Sequence, residues 1–208
     1  MKQETLVILG TAHGANVAGK RSPDGRLREY RYSREICREI KRALDSRGVQ
    51  CVIDVEDDNE PSLRWRVRRV NAIVRASGRR CVYVSVHVNA AGSGGVWRTA
   101  SGFGVYVSPN GSADSRRLAS LMGIIAVERR LTGNRAVPSC RYHVLNLAVC
   151  RDTVCPAVLT ENFFQDNRAD VDWLLSPEGR AAIVSLHVDS LMLYLTELRG
   201  GSTTVSGK

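Results

Sequence analysis

The sequence predicts an α/β fold: one domain with a mixed, mostly parallel β-sheet of about six strands and helices on both faces. Three observations lead there. Short apolar runs alternate with segments whose apolar residues recur every three or four positions. The 208 residues suit a single domain with a sizeable core. Apolar residues make up 43% and charged residues 25%, values that exclude wholesale disorder.

Residues 6–9 read as a buried strand, followed by a Gly-rich loop over 10–25 that carries the turn signal Ser22-Pro23-Asp24-Gly25. Residues 28–46 place Tyr32, Ile36, Ile40 and Leu44 at every fourth position, which is helical spacing, and Gly48 stops that helix. Residues 49–55 are the second strand. After the loop Asp57-Asp58-Asn59-Glu60-Pro61, Ser62 caps a helix with Leu63, Val67, Val70 and Val74 on one face, ending near Gly78. Residues 80–88 and 103–107 read as strands. A helix is expected over about 112–131, after the Asn110-Gly111 turn, and then an irregular stretch over 133–141. Two more strands are expected over 144–149 and 154–160, with Glu161 at the C-terminal end of the second. A short helix follows over 168–175, and Pro177 opens a last helix that runs to about Leu198. The folded domain is therefore placed at 1–199, with a polar tail over 200–208 expected to be disordered.

The formal net charge is +9, which favours an acidic partner: nucleic acid, an anionic membrane surface or an acidic cell-envelope polymer. The densest basic cluster, Arg64, Arg66, Arg68 and Arg69, reads as a solvated helix face. Aromatic residues are only 6%, so stacking platforms for bases are scarce and nucleic acid is disfavoured. Six cysteines without CxxC spacing read as reduced thiols, with Cys51 and Cys81 as small core residues. The first apolar run is too short for a signal-peptide core, and no run of about 18 apolar residues predicts a membrane span. The expectation is a monomer made in the cytoplasm.

In such sheets ligands bind beyond the carboxyl ends of the strands, and His13, His87 and Glu161 stand at or just past strand ends. Glu29 opens the first helix, within reach of the Gly-rich loop. Two histidines and one glutamate form a recurring ligand set for catalytic zinc, which keeps a fourth position for water. A carboxylate such as Glu161 beside a dication is a candidate general base. From spacing alone, satisfied core or surface histidines and a capping or salt-bridged glutamate stay open as alternatives.

Four ordered motifs add a resemblance. They are His13-Gly14 with Gly25-Arg26-Leu27-Arg28-Glu29; Asp57 to Arg66 with Asn71; Ser85-Val86-His87-Val88-Asn89-Ala90 with Ser101-Gly102-Phe103-Gly104-Val105-Tyr106; and Pro156-Ala157-Val158-Leu159-Thr160-Glu161-Asn162-Phe163-Phe164 with Asn167. With them the chain resembles the zinc-dependent N-acetylmuramoyl-L-alanine amidases of the amidase-3 family over about residues 6–198. The resemblance implies one zinc ion held by His13, Glu29 and His87, with Glu161 catalytic. It implies peptidoglycan as partner and cleavage of the amide between N-acetylmuramic acid and L-alanine. Without an export signal, the expected route to the wall is release or lysis, as for phage-type lytic enzymes. The chain departs from the family where Asp-Pro-Gly before the first histidine is Gly10-Thr11-Ala12, and where Ala15 follows Gly14, which puts the loop shape at issue. Residues 133–141 are too short and polar for the inserted blocking helix of regulated members, so an open groove is expected.

Asn89 and His143 are further candidates for substrate contact. Ser85 shares a strand face with His87, and His187, mid-helix among apolar residues, reads as structural. Two rival functions are a zinc peptidase acting on another stem-peptide amide and a catalytically silent peptidoglycan-binding module.

Overall fold

A computed structural model describes residues 5–93 and 95–200. In chain order the elements are β1 (Leu6–Thr11), α1 (Glu29–Asp45), β2 (Cys51–Ile53), α2 (Leu63–Ser77), β3 (Cys81–Asn89), β4 (Gly104–Val107), α3 (Ala113–Glu128), β5 (His143–Val144), α4 (Ala148–Arg151), β6 (Ala157–Phe164), α5 (Arg168–Leu175) and α6 (Pro177–Gly200). One sheet takes the order β2-β1-β3-β6-β4-β5. Its first four strands run parallel; β4 is antiparallel to β6, and β5 is parallel to β4.

The two-residue period of the strands sorts their side chains into two layers. Val7, Leu9, Val82, Val84, Val86 and Val158 face the larger core, packed with α1, α3, α5 and α6. Leu6, Ile8, Cys81, Tyr83, Ala157 and Leu159 face a smaller core with Val70 of α2 and Val149 and Cys150 around α4. Both faces are thus covered, as apolar runs in parallel strands require.

Most of the expected helices form with their expected signals. Tyr32, Ile36, Ile40 and Leu44 are all buried, and Gly48 follows α1 at φ +75°. Ser62 accepts the Trp65 N–H at 3.2 Å and caps α2, which ends at Gly78 in the left-handed conformation. Asn167 adds a cap not expected from the sequence, accepting the Asp170 N–H at 3.1 Å at the start of α5. The apolar face of α2 is buried mainly at Val70, because only the thin side of the sheet lies beneath it and Leu63 is left 55% exposed.

Three strand expectations are corrected. The second strand is Cys51–Ile53 rather than 49–55. The strand expected over 144–149 is two residues long and starts at His143; it pairs only with β4 at the sheet edge, and the chain then turns into α4. The strand expected over 154–160 begins at Ala157 and runs to Phe164, so Glu161 lies inside it rather than at its end. Neighbours on both sides explain that length: β3 and β4 each supply a ladder that holds β6 extended through its polar residues.

α6 is long and apolar enough to cross a membrane by length and composition, with a mean hydropathy of 1.3. Its apolar residues Ile183, Leu186, Val188, Leu191 and Leu195 belong to the larger core, which accounts for that composition. It runs through Gly200, the first residue of the expected tail; residues 201–208 lie outside the described residues. All six cysteines are free. Cys140 is exposed and five are buried; burial pushes the Cys51, Cys150 and Cys155 thiols up to about 12.

His187 is fully buried on α6. Its Nδ1–H donates to the Ile183 carbonyl at 2.8 Å, so Nε2 accepts from the Thr160 hydroxyl at 2.9 Å. The ring is a neutral strut behind β6. Burial lowers its pKa from 6.5 to about 4. A depressed histidine contributes no instability above the unfolded value, and the unfolded chain binds the extra proton below it. Stability should therefore fall by about 3 kcal/mol as pH drops from 6.5 to 4. Urea unfolding across that range should show a shallower acid slope for His187→Gln; equal slopes would remove His187 as the cause.

Candidate metal centre

Three strand or helix termini converge on one point. The His13, Glu29 and His87 ligand atoms all lie within 4.8 Å of one another. Nε2 of His13 is 3.6 Å from Glu29 Oε2, and Nδ1 of His87 is 3.1 Å from Glu29 Oε1. The outer nitrogens are occupied elsewhere: His13 Nδ1 by Glu60 Oε2 at 3.0 Å, and His87 Nε2 by Ser85 Oγ at 3.0 Å. Such outer partners fix ring orientation and leave the inner nitrogens for a ligand.

The backbone places His13 with some strain. His13 has φ +43°, a left-handed value rare outside glycine. Arg34 holds that turn, donating from Nη1 to the Ala12 carbonyl at 3.1 Å and from Nη2 to the His13 carbonyl at 2.9 Å. The preceding segment, where the sequence put loop shape at issue, is fixed by Asp54, which accepts the Thr11 N–H at 3.0 Å, and by the Thr11 hydroxyl, which donates to the Val55 carbonyl at 2.8 Å. Asp54 also pairs with buried Arg66 at 2.8 Å and accepts from the Tyr83 hydroxyl at 3.1 Å. Gly14 has no room for a side chain: a Cβ there would stand 2.1 Å from the Glu60 amide nitrogen.

Glu29 is 1% exposed at the first position of α1. Burial works to raise its pKa, but the His87 hydrogen bond and the His87, His13 and Lys20 charges outweigh it, and the carboxyl stays below its ordinary value. Burial lowers the His13 pKa, aided by His87 and Lys20 against Glu29 and Glu60. A carboxylate between two imidazoles is the donor set of a divalent metal. The buried Glu29 Oε2 accepts no hydrogen bond.

Glu161 on β6 is in register with His87 on β3 and with Gly104 on β4. Its Oε2 is buried without a hydrogen-bond partner. Burial raises its pKa to about 7; Glu29 adds to that, while His87, Lys20 and Arg135 oppose it. A carboxyl poised near neutrality can take a proton and give it back.

Two sequence candidates are not joined to this group. Asn89 turns its side-chain oxygen to the Ala90 N–H at 2.8 Å, and a register shift separates it from His87. His143 stacks on Tyr106 with ring centroids 5.1 Å apart. The sequence did not point to Glu60 and Arg135, loop residues whose partners are distant in the chain, or to Lys20, which acts on the centre through its charge. Asn134 anchors the loop carrying Arg135 by accepting the Ser101 N–H at 2.9 Å and donating to the Thr99 carbonyl at 2.7 Å. The Arg135 guanidinium then lies over the rings of Tyr106 and Phe164, and it fills the space that a Cβ on Gly104 would take. The His13 and His87 side chains keep 20% and 16% exposure, so the centre is reachable from solvent.

The chain is similar to known proteins along almost its whole length. A family model described as N-acetylmuramoyl-L-alanine amidase matches residues 7–192. An endolysin of Bacillus phage SPP1 is 27% identical over 200 residues, covering 95% of this chain and 69% of the relative. The N-acetylmuramoyl-L-alanine amidase CwlM of Bacillus licheniformis is 25% identical, covering 89% of this chain and 66% of the relative. The fold is that of the crystal structure of an N-acetylmuramoyl-L-alanine amidase from Clostridium difficile 630, with a TM-score of 0.79 at 23% identity, covering 93% of this chain and 97% of that one.

Proposed function

The chain belongs to the N-acetylmuramoyl-L-alanine amidase family, and from that premise we propose that it hydrolyses the amide between N-acetylmuramic acid and L-alanine in peptidoglycan with one zinc ion held by His13, Glu29 and His87. The observation that carries this reading is the clustering of those three ligand atoms within 4.8 Å, with Glu161 in register beside His87. Two imidazoles and a carboxylate suit zinc and leave a position for water. Bound there, the ion supplies Lewis acidity to a water and to the scissile carbonyl.

The chain's own groups do the rest. Glu161 accepts the proton of the attacking water and delivers it to the departing alanine nitrogen. Ser85 and Glu60 hold the two ligand rings in place. Asn89, just beyond His87, and His143, stacked on the strand beside Glu161, are assigned to substrate contact. The basic surface favours an acidic wall polymer. Similarity to a phage endolysin supports arrival at the wall by lysis.

Metal content and digestion of purified sacculi test the reading together. About one zinc per chain and new L-alanine amino termini are expected. Metal-loaded protein that releases none would favour the silent binding module, and new termini at other stem residues would favour the peptidase. Glu60→Ala is expected to weaken zinc binding about 10- to 100-fold in competition with a chelator. An unchanged affinity would show that the 3.0 Å contact does not support His13.

A further inference from the structure

A cavity of about 240 Å³ opens beside the metal centre, between the Gly-rich loop and the start of α1. Gly14 and Tyr30 line it next to His13 and Glu29, and three of its lining residues, Lys20, Arg21 and Arg28, are cationic. Among the described residues, none of these three side chains has an ion pair or a hydrogen bond. Arg26, in the same loop, pairs with Asp24 and Asp172, and Arg34 and Arg66 are engaged inside the fold. The unpaired cations of this region thus converge on one cavity.

Two further observations separate it from an ordinary solvated basic face. Arg21 and Arg28 are cross-strand partners in an isolated antiparallel bridge. Like charges directly opposite destabilise such a pair, and an anion seated between them removes the repulsion. The cavity wall is also tied down in advance. Asp58 accepts the Ala15 N–H at 2.7 Å, Asn16 accepts the Glu60 N–H at 2.8 Å, Gln165 donates to the Gly19 carbonyl at 3.2 Å, and Glu29 donates its N–H to the Lys20 carbonyl at 3.0 Å. A preformed wall lowers the ordering cost of binding. Lys20 also acts electrostatically on His13, Glu29 and Glu161, so cavity and centre share one field.

We propose that this cavity is an anion subsite that receives a free carboxylate of the stem peptide, with Lys20, Arg21 and Arg28 as its binding groups. The assignment rests on the amide-hydrolysis reading of the neighbouring centre. Gly14 and Tyr30 of the cavity wall are chain neighbours of His13 and Glu29, so a substrate whose scissile amide lies at those two residues brings its peptide arm toward the cavity, and that arm carries carboxylates. Phosphate shares the chemistry and serves as a probe.

The test uses the full chain and two soluble muropeptides that differ only in whether the stem carboxylate nearest the scissile amide is free or amidated. The free carboxylate should lower KM about five- to tenfold, and Lys20→Met/Arg21→Gln should bring the ratio close to one. Equal KM values in the unmodified protein overturn the subsite, as does a preference that survives the double substitution. Inorganic phosphate should compete with the free-carboxylate substrate; competition by phosphate with equal KM values for the pair would assign the subsite to a phosphate instead and overturn the carboxylate. Should neither muropeptide be cleaved, the amide-hydrolysis reading fails by itself. Amide NMR titration with the free-carboxylate muropeptide then decides the subsite: saturable shifts at Gly19 and Lys20 that vanish in the double variant uphold it, and flat spectra overturn it.

Discussion

Glu161→Gln is expected to lower turnover of peptidoglycan by about 10²- to 10⁴-fold while leaving bound zinc and the melting temperature close to those of the parent. The side chain is isosteric, and it sits on a strand held from both sides by β3 and β4, so the fold has little reason to respond. Glutamine cannot accept a proton from water at neutral pH, and the buried Oε2 it replaces has no structural partner to lose. The same group is expected to set the acid limb of the parent's pH profile. The working form is the anion, so activity rises with pH through the Glu161 midpoint and is lost below it. Without metal that midpoint is about 7, and a bound dication moves it down. Full activity in Glu161→Gln, measured as new alanine amino termini, would sink the general-base assignment. Loss of zinc along with activity would recast Glu161 as a metal-supporting group.

Arg66→Met is expected to be the most costly single change to the fold. Asp54 lies beneath the end of β1 with its side chain fully buried, and among the described residues Arg66 is its ion-pair partner, at 2.8 Å. The Thr11 N–H and the Tyr83 hydroxyl also point at it, yet they compensate a carboxylate only in part. Removing the guanidinium strands a buried charge, at about 3–5 kcal/mol. For a chain of this size that is a drop of roughly 10 °C in melting temperature. Asp54→Asn in the same background should recover part of it, since a neutral amide is easier to bury. The loss should reach the metal as well, because Asp54 fixes Thr11, two residues before His13. A melting temperature within about 2 °C of the parent would show that the pair is replaceable by packing alone.

The parts of the fold that were readable from sequence are those where a local signal and a tertiary need coincide. α1 carries an unbroken apolar stripe from Tyr32 to Leu44 and is covered on that stripe by the sheet. α2 and α6 begin at residues whose chemistry favours a helix start, namely Ser62 and Pro177. Strand limits were less readable, because pairing partners set them. Val144 and Leu145 have strand propensity but lie at an edge, each 51% exposed, and pairing stops there. Glu161 and Asn162 look like the end of a strand by polarity, yet neighbours on both sides carry β6 past them to Phe164. At the site, His13, Glu29, His87 and Glu161 were singled out through ordered motifs, and the fold brings them together; strand-end logic alone left alternatives open. Glu60, Lys20 and Arg135 were not found, because what makes each matter is a partner 29 to 47 positions away or a shared field, and no spacing rule reports that.

The position of β6 also has a bearing on how the chain acquires activity during synthesis. β6 is the last strand made but the fourth of six across the sheet, and β4 and β5 reach β1, β2 and β3 only through it. Until residues 157–164 clear the ribosome, the strands made so far cannot join into one sheet, and His13, Glu29 and His87 precede Glu161 in emerging. Such long-range parallel pairing is slow and exposes strand edges while it waits. The residues that build the centre therefore come together in one late step, with the insertion of the central strand, and a ribosome stalled before that strand leaves a product without Glu161.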